Sequence, residues 1–198
     1  DDGRAPAAHI VVARNLEAIY GIETALRAFA KIQAVRPDAR LSVAGSGPQL
    51  AELQALAVRL GVADQVHFTG RLDREEMASL YRDADLTLNP SRVDNMPNSV
   101  LEALASGVPV VTTDVGGIPY IVQHDVTALL VPRDDPEAMA AAALRVLDDP
   151  ALASRLRVAG QEDVQRYSWA AVKGELLAAY IAALQYDRRA TQSAIGVH

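Results

Sequence analysis

The chain contains no cysteine, so disulfides, thiolate metal sites and cysteine nucleophiles are all excluded. Aromatic residues make up only 5% of it, although half the residues are hydrophobic. Its core is therefore expected to consist mostly of Ala, Leu and Val. Lysine occurs at Lys31 and Lys173 alone, and the other side chains that are positive at neutral pH are arginines. No basic run is present and the formal net charge is −6, which argues against a nucleic-acid partner. The longest apolar runs fall well short of the roughly 18 to 20 residues that span a bilayer. No basic-then-apolar signal segment opens the chain. These absences predict a cytoplasmic protein. Its start, Asp1-Asp-Gly-Arg with no initiator methionine, reads as a fragment or a processed piece.

What is present is an alternation of short apolar runs and amphipathic stretches. Strands are predicted at residues 9–13, 41–44, 66–69, 86–88, 109–112 and 128–131. Helices are predicted at about 21–35, 49–60, from Asp73, after the loop ending near Ser99, and at 137–147, 151–165 and 168–185. In the first helix Ile22, Ala25, Leu26, Phe29 and Ile32 share one face, and Glu23 and Arg27 stand in i,i+4 register on the other. Arg36-Pro37 ends it, because a residue before proline leaves the helical region. Asp73 with Glu76 forms a capping-box pattern, and Asp135-Pro136 and Asp149-Pro150 each read as an N-cap followed by proline at the first helical position. Strands alternating with helices at this spacing predict an α/β fold, a doubly wound, parallel, six-stranded Rossmann-like sheet with helices on both faces. One domain is expected to take the whole chain, with 187–198 a loose tail.

The most informative segment runs from Asn89 to Val111. Two carboxylates, Asp94 and Glu102, bracket a polar loop that becomes a helix, and a Gly-Val-Pro break and an apolar strand follow. In an open α/β sheet, such loops at strand carboxyl ends hold polar, phosphorylated ligands. Asp94 also reads as a simple turn residue, and Glu102 as an ordinary helix glutamate stabilised by the dipole of a nearby helix start. Gly45-Ser-Gly-Pro48 is a glycine-rich strand-to-helix turn, serving either a ligand or only a tight connection. Arg14, just past the first strand, is either a phosphate partner or a solvated loop residue. Gly116-Gly117 gives a ligand access or simply turns the chain. His9, His67 and His124 have no metal-binding spacing, and Trp169 is expected to be a packing anchor.

Taken together, these segments resemble the C-terminal, donor-binding domain of retaining GT-B glycosyltransferases of the large family 4, over residues 9–185. Val12-Ala-Arg14, Val43-Ala-Gly-Ser-Gly-Pro48, Val66-His-Phe-Thr-Gly70, Tyr81-Arg-Asp-Ala-Asp-Leu86, Asn89-Pro-Ser91 and Leu101-Glu-Ala-Leu-Ala-Ser-Gly-Val-Pro-Val-Val111 follow the family order. Asp94 to Glu102 falls on its E-x7-E signature.

The resemblance implies transfer of a sugar from a nucleotide-diphosphate sugar to an acceptor, with retention and without a metal or other cofactor. It implies that Glu102 holds the donor ribose, that Asp94 contacts the sugar, and that Arg14 neutralises the diphosphate. Asn95, Met96, Pro97, Asn98 and Ser99 would line the sugar and phosphate pocket. Arg71 and Leu72 would flank the base, and Gly45, Ser46 and Gly47 would lie near the nucleotide. It further implies that the acceptor (a glycan, lipid or small molecule) binds a separate N-terminal domain. That domain would also set any association with the inner face of a membrane, and without it the isolated domain would be inactive.

Three positions depart from the family pattern. Tyr20, before Gly21, stands where the family usually carries Lys. Asp94 is one methylene shorter than the usual Glu, and Met96-Pro97 replaces Phe-Gly in many members. A phenol brings no charge, and removing one transition-state donor costs on the order of 2–4 kcal/mol. A second reading therefore stands beside the first, a noncatalytic module that acts as a partner in a glycan-assembly complex. Nucleotide-sugar epimerases of the same architecture are a third, ranked behind because the acid pair matches the transferases better.

Overall fold

The computed structural model describes residues 7–174 and 176–181. The chain divides into two compact units, Asp1–Glu162 and Asp163–His198. The expected tail at 187–198 lies outside the described residues.

The first unit carries six strands: β1 His9–Ala13, β2 Arg40–Ala44, β3 Val66–Gly70, β4 Leu86–Asn89, β5 Val110–Thr113 and β6 Leu129–Val131. All pair in parallel, in the order β3-β2-β1-β4-β5-β6. Central strands of a parallel sheet are covered on both faces, which is why β4 and β5 are buried at every position. The edge strand β3 is only half-buried, and His67 on it is exposed.

Seven helices follow the strands: α1 Ile22–Val35, α2 Leu50–Arg59, α3 Arg74–Arg82, α4 Asn98–Ala105, the short α5 Ile118–Ile121, α6 Pro136–Asp148 and α7 Pro150–Asp163. The expected apolar stripe of α1 is buried throughout, with Ile22, Ala25, Leu26, Phe29 and Ile32 at 0–1% exposure. It packs with α2, α6 and one sheet face into the main core, which includes Ile10, Val12, Leu41, Val43, Leu86 and Leu88. Alternate strand residues point the other way, and α4 packs against β4 and β5.

Local signals set the helix ends. Asp73 accepts from the amides of Glu75 and Glu76 while Glu76 accepts from the Asp73 amide, completing the capping box. Asp135 and Asp149 cap α6 and α7 as expected. Gly61 ends α2 at φ 73°, in the left-handed region. One expected contact is replaced: Glu23 pairs not with Arg27 but with Arg92, at 2.7 Å. Arg92 is already held by Asp134 and Ala18 O, so its bond to Glu23 is better fixed than an exposed i,i+4 pair worth about 0.2–0.5 kcal/mol.

In the second unit a short 3-10 turn, Val164–Tyr167, precedes helical residues at 169–174 and 176–181. The Ser168 hydroxyl accepts from the Ala171 amide at the helix start. Trp169, expected to anchor packing, is instead 70% exposed on the helix that follows Ser168. Among the described residues no helix is long and apolar enough to cross a membrane.

Candidate active site

The sheet reverses its winding between β1 and β4. Connections after β1 lead outward through β2 to β3, and those after β4 lead the other way through β5 to β6. Loops leaving such a point diverge and open a crevice at the strand carboxyl ends. Arg14 follows β1 on one side, and the loop from Pro90 to Pro97 follows β4 on the other.

Side chains cross this seam. The Arg14 Nε donates to the Asn89 amide oxygen at 2.9 Å. Asn89 in turn donates its nitrogen to Thr112 Oγ1 at 2.9 Å, which fixes the amide with its oxygen toward the arginine. The terminal Arg14 nitrogen Nη2 donates to Asp94 in an ion pair whose side chains are only 12% and 11% exposed. Arg14 is thus no solvated loop residue. Tyr20 stacks beside it, with the guanidinium carbon 5.2 Å from the ring centroid. Burial draws the Arg14 pKa below its ordinary value, and Asp94 works against that shift. The guanidinium stays charged in any case.

Glycines hold these pieces close. A side-chain carbon at Gly45 would collide with the Arg14 carbonyl, and one at Gly47 with the Leu16 carbonyl. The Leu16 amide donates to Ser46 O at 3.0 Å. Likewise, a Cβ at Gly116 or Gly117 would strike the carbonyl of Asp94 or Asn95, and the Gly117 amide donates to Asp94 O at 2.9 Å. Both glycine pairs let one loop lie on another, and Gly45 also lines a cavity beside Arg14.

Glu102 is the fifth residue of α4, one turn in from its start. The dipole argument for an acid at the helix terminus thus does not apply, since that effect fades beyond the first turn. Glu102 is exposed, and one oxygen lies 3.4 Å from the Tyr81 hydroxyl, which also donates to Ser99 O at 3.2 Å. Burial, reinforced by Glu102, pushes the Tyr81 pKa far up, so the phenol remains a donor.

A cavity of about 280 Å³ collects Arg14, Tyr20, Gly45, Arg71, Leu72, Asn98, Ser99 and Glu102. Ser46, Gly47, Asp94, Asn95, Met96 and Pro97 are not among its described lining residues. Ser46 and Gly47 sit behind it against the Arg14–Leu16 segment, and Asp94 meets it through Arg14. Asn95 and Met96 are exposed, and buried Pro97 is the N-cap of α4. A second cavity of about 440 Å³ shares Leu72, Met77 and Glu102 and runs between α3 and α4 beside Tyr81. Among the described residues no group of three or more His, Asp or Glu side chains is placed to hold a metal ion.

Two contributors escaped the sequence reading. Asn89 and Tyr81 stood in segments noted only for their order, and nothing in their spacing reveals a bond to Arg14 or Glu102. Arg92 is the other kind of surprise. It donates to Asp134 at 2.6 Å, to Glu23 at 2.7 Å and to Ala18 O at 2.7 Å, and its amide donates to Ile19 O. It ties the turn that carries Tyr20 to the loops after β4 and β6.

Similarity to known proteins fits this arrangement. The D-inositol 3-phosphate glycosyltransferase of Streptomyces avermitilis is 33% identical over 190 residues, covering 91% of this chain and 41% of that protein. The solved sucrose-phosphate synthase of Thermosynechococcus elongatus is 33% identical and superposes with a TM-score of 0.79, over 90% of this chain and 47% of that one. The Anabaena protein HepE, solved in complex with UDP-glucose, is 20% identical and shares the fold, with a TM-score of 0.82 over 91% of this chain and 50% of that one. The chain thus spans less than half the length of the curated relatives it matches. The family described as "Glycosyl transferases group 1" matches residues 6–163, and the chain belongs to it.

Proposed function

We propose that this chain is the donor-binding part of an enzyme that moves a sugar from a nucleotide-diphosphate sugar to an acceptor, with retention of configuration. The observation that carries the reading is the convergence of Arg14 and Glu102, 88 positions apart in sequence (102 − 14), on one cavity at the reversal point of the sheet. A protein of the same fold is named as binding UDP-glucose, which supports the donor class. The noncatalytic alternative finds no support in the relatives.

The chemistry follows from charge. Departure of a nucleoside diphosphate leaves negative charge on the leaving group. A guanidinium that passes from Asp94 to the phosphate oxygens, with the partial positive charge at the start of α4, stabilises that charge. Glu102 supplies an acceptor for ribose hydroxyls, and Asp94, through the Arg14 pair, stands ready to exchange that contact for the sugar. In this reading Arg14 and the helix amides carry the charge, so no metal need take part. The acceptor site belongs to the portion of the longer relatives that this chain does not cover, so the chain alone binds donor and transfers nothing.

Calorimetric titration with UDP, GDP and ADP sugars tests the reading. One of them is expected to bind, and Arg14→Ala and Glu102→Ala are each expected to weaken it about tenfold or more. Binding indifferent to both substitutions would remove the assigned site.

A further inference from the structure

A bound diphosphate brings at least two negative charges into a cavity whose own charges nearly cancel. Arg14 is committed to Asp94 and Asn89, and Tyr20 covers it with an uncharged ring. Glu102 adds a negative charge to the lining. The remaining charged lining residue is Arg71. It follows Gly70, whose φ of 74° turns the chain sharply at the carboxyl end of β3. Arg71 is exposed, and among the described residues it forms neither an ion pair nor a side-chain hydrogen bond. The other nearby cation, Arg92, is held by Glu23, Asp134 and Ala18 O.

We infer that the Arg71 guanidinium is the second cation of the site and binds the donor diphosphate. This rests on the nucleotide-sugar reading and assigns Arg71 a role there that differs from flanking the base. A guanidinium matches phosphate oxygens with paired donors. Because Arg71 surrenders no existing partner, its charge is available to the ligand, whereas Arg14 must first give up Asp94. The chain thereby supplies at position 71 the charge that Tyr20 lacks.

The test compares the wild-type chain, Arg71→Gln, Arg71→Lys and the double variant Arg71→Gln with Tyr20→Lys. Each is titrated with whichever of UDP, GDP and ADP the wild type binds, and with the matching nucleoside. Arg71→Gln is expected to lose about tenfold to hundredfold in diphosphate affinity, with nucleoside binding unchanged. Arg71→Lys is expected to keep most of that affinity. Tyr20→Lys is expected to restore part of it, because residue 20 lines the same cavity. Equal weakening of nucleoside and diphosphate assigns Arg71 to the base and overturns the inference, as does no weakening of either. A wild type that binds none of the three diphosphates overturns the nucleotide-sugar reading itself, and this inference with it.

Discussion

Arg14 and Asp94, 80 residues apart in sequence, neutralise one another in a nearly buried ion pair across the reversal point of the sheet. The guanidinium proposed to meet the diphosphate is thus occupied by an internal anion. Under the proposed function, donor binding at Arg14 would be an exchange of partners rather than the filling of an open charge.

Asp94→Asn should therefore act in opposite directions on stability and on binding. The ligand-free variant is expected to lose about 1–3 kcal/mol, less than the roughly 3–5 kcal/mol of a broken, fully buried pair, because Asn89 still accepts from Arg14. Diphosphate affinity is expected to rise about tenfold, since the internal competitor is gone. Urea denaturation and calorimetry measure the two effects, and a fall in both would count against the exchange.

Tyr81→Phe removes one hydroxyl that serves both Ser99 O and Glu102. A stability loss of about 0.5–1.5 kcal/mol is expected. Glu102 would also lose its orienting contact, so preference for a ribonucleotide over its 2′-deoxy counterpart should shrink. Paired titrations with UDP and 2′-deoxy-UDP read that preference directly.

Arg92→Ala unties three segments at once. We expect a loss of about 1–3 kcal/mol, the range for one charged hydrogen-bonding group removed from its partners. Amide exchange at Ala18–Gly21 should accelerate selectively, because Arg92 holds that turn through both side chain and backbone. Uniform acceleration across the sheet would show a general rather than a local role.

His9 gives the fold a pH dependence of known sign. Its Nδ1 faces the Asp83 carbonyl at 2.9 Å, which only accepts, so that nitrogen carries the proton and Nε2 accepts from Ser42 Oγ at 2.9 Å. Burial lowers its pKa below the ordinary 6.5, helped by Arg40 and opposed by the Asp83 carbonyl and by the charges of Asp85 and Asp83. The unfolded chain therefore binds a proton more readily than the folded one. The stabilisation is complete above the unfolded value of 6.5 and is lost as pH falls through the lowered folded value. Denaturation at pH 7.5 and about pH 5 should show a steeper loss in the wild type than in His9→Gln. Equal slopes would remove His9 as the cause.

The elements of the fold were legible because their signals are local. An apolar run, a capping Asp and a proline each act within a few residues, so every expected strand was found within two residues of its place. The parallel, doubly wound character of the sheet followed from the alternation of strands and helices. The site was legible only in part. Arg14 and Glu102 could be singled out because strand ends are where ligands meet such sheets, whereas Arg71 was named only through the family resemblance. The Arg14–Asp94 contact, the Asn89 bridge and the Arg92 tie depend on which loops lie side by side, and no spacing records that. For the glycines the lack of a side chain was clear, but the loops they lie against are a tertiary fact: Arg14, Leu16, Asp94 and Asn95 fill that space, while Gly45 also faces the cavity.

Because β1 is bonded to β2 on one flank and to β4 on the other, it is the hinge pin of the two half-sheets. Arg14 at its tip and Asn89 at the tip of β4 stand 75 residues apart along the chain. They acquire a common frame only after both strands have annealed, and such distant parallel pairing is slow to form. Under the proposed function, anion affinity is therefore expected to require that both half-sheets be paired, and neither half of the chain alone is expected to retain it.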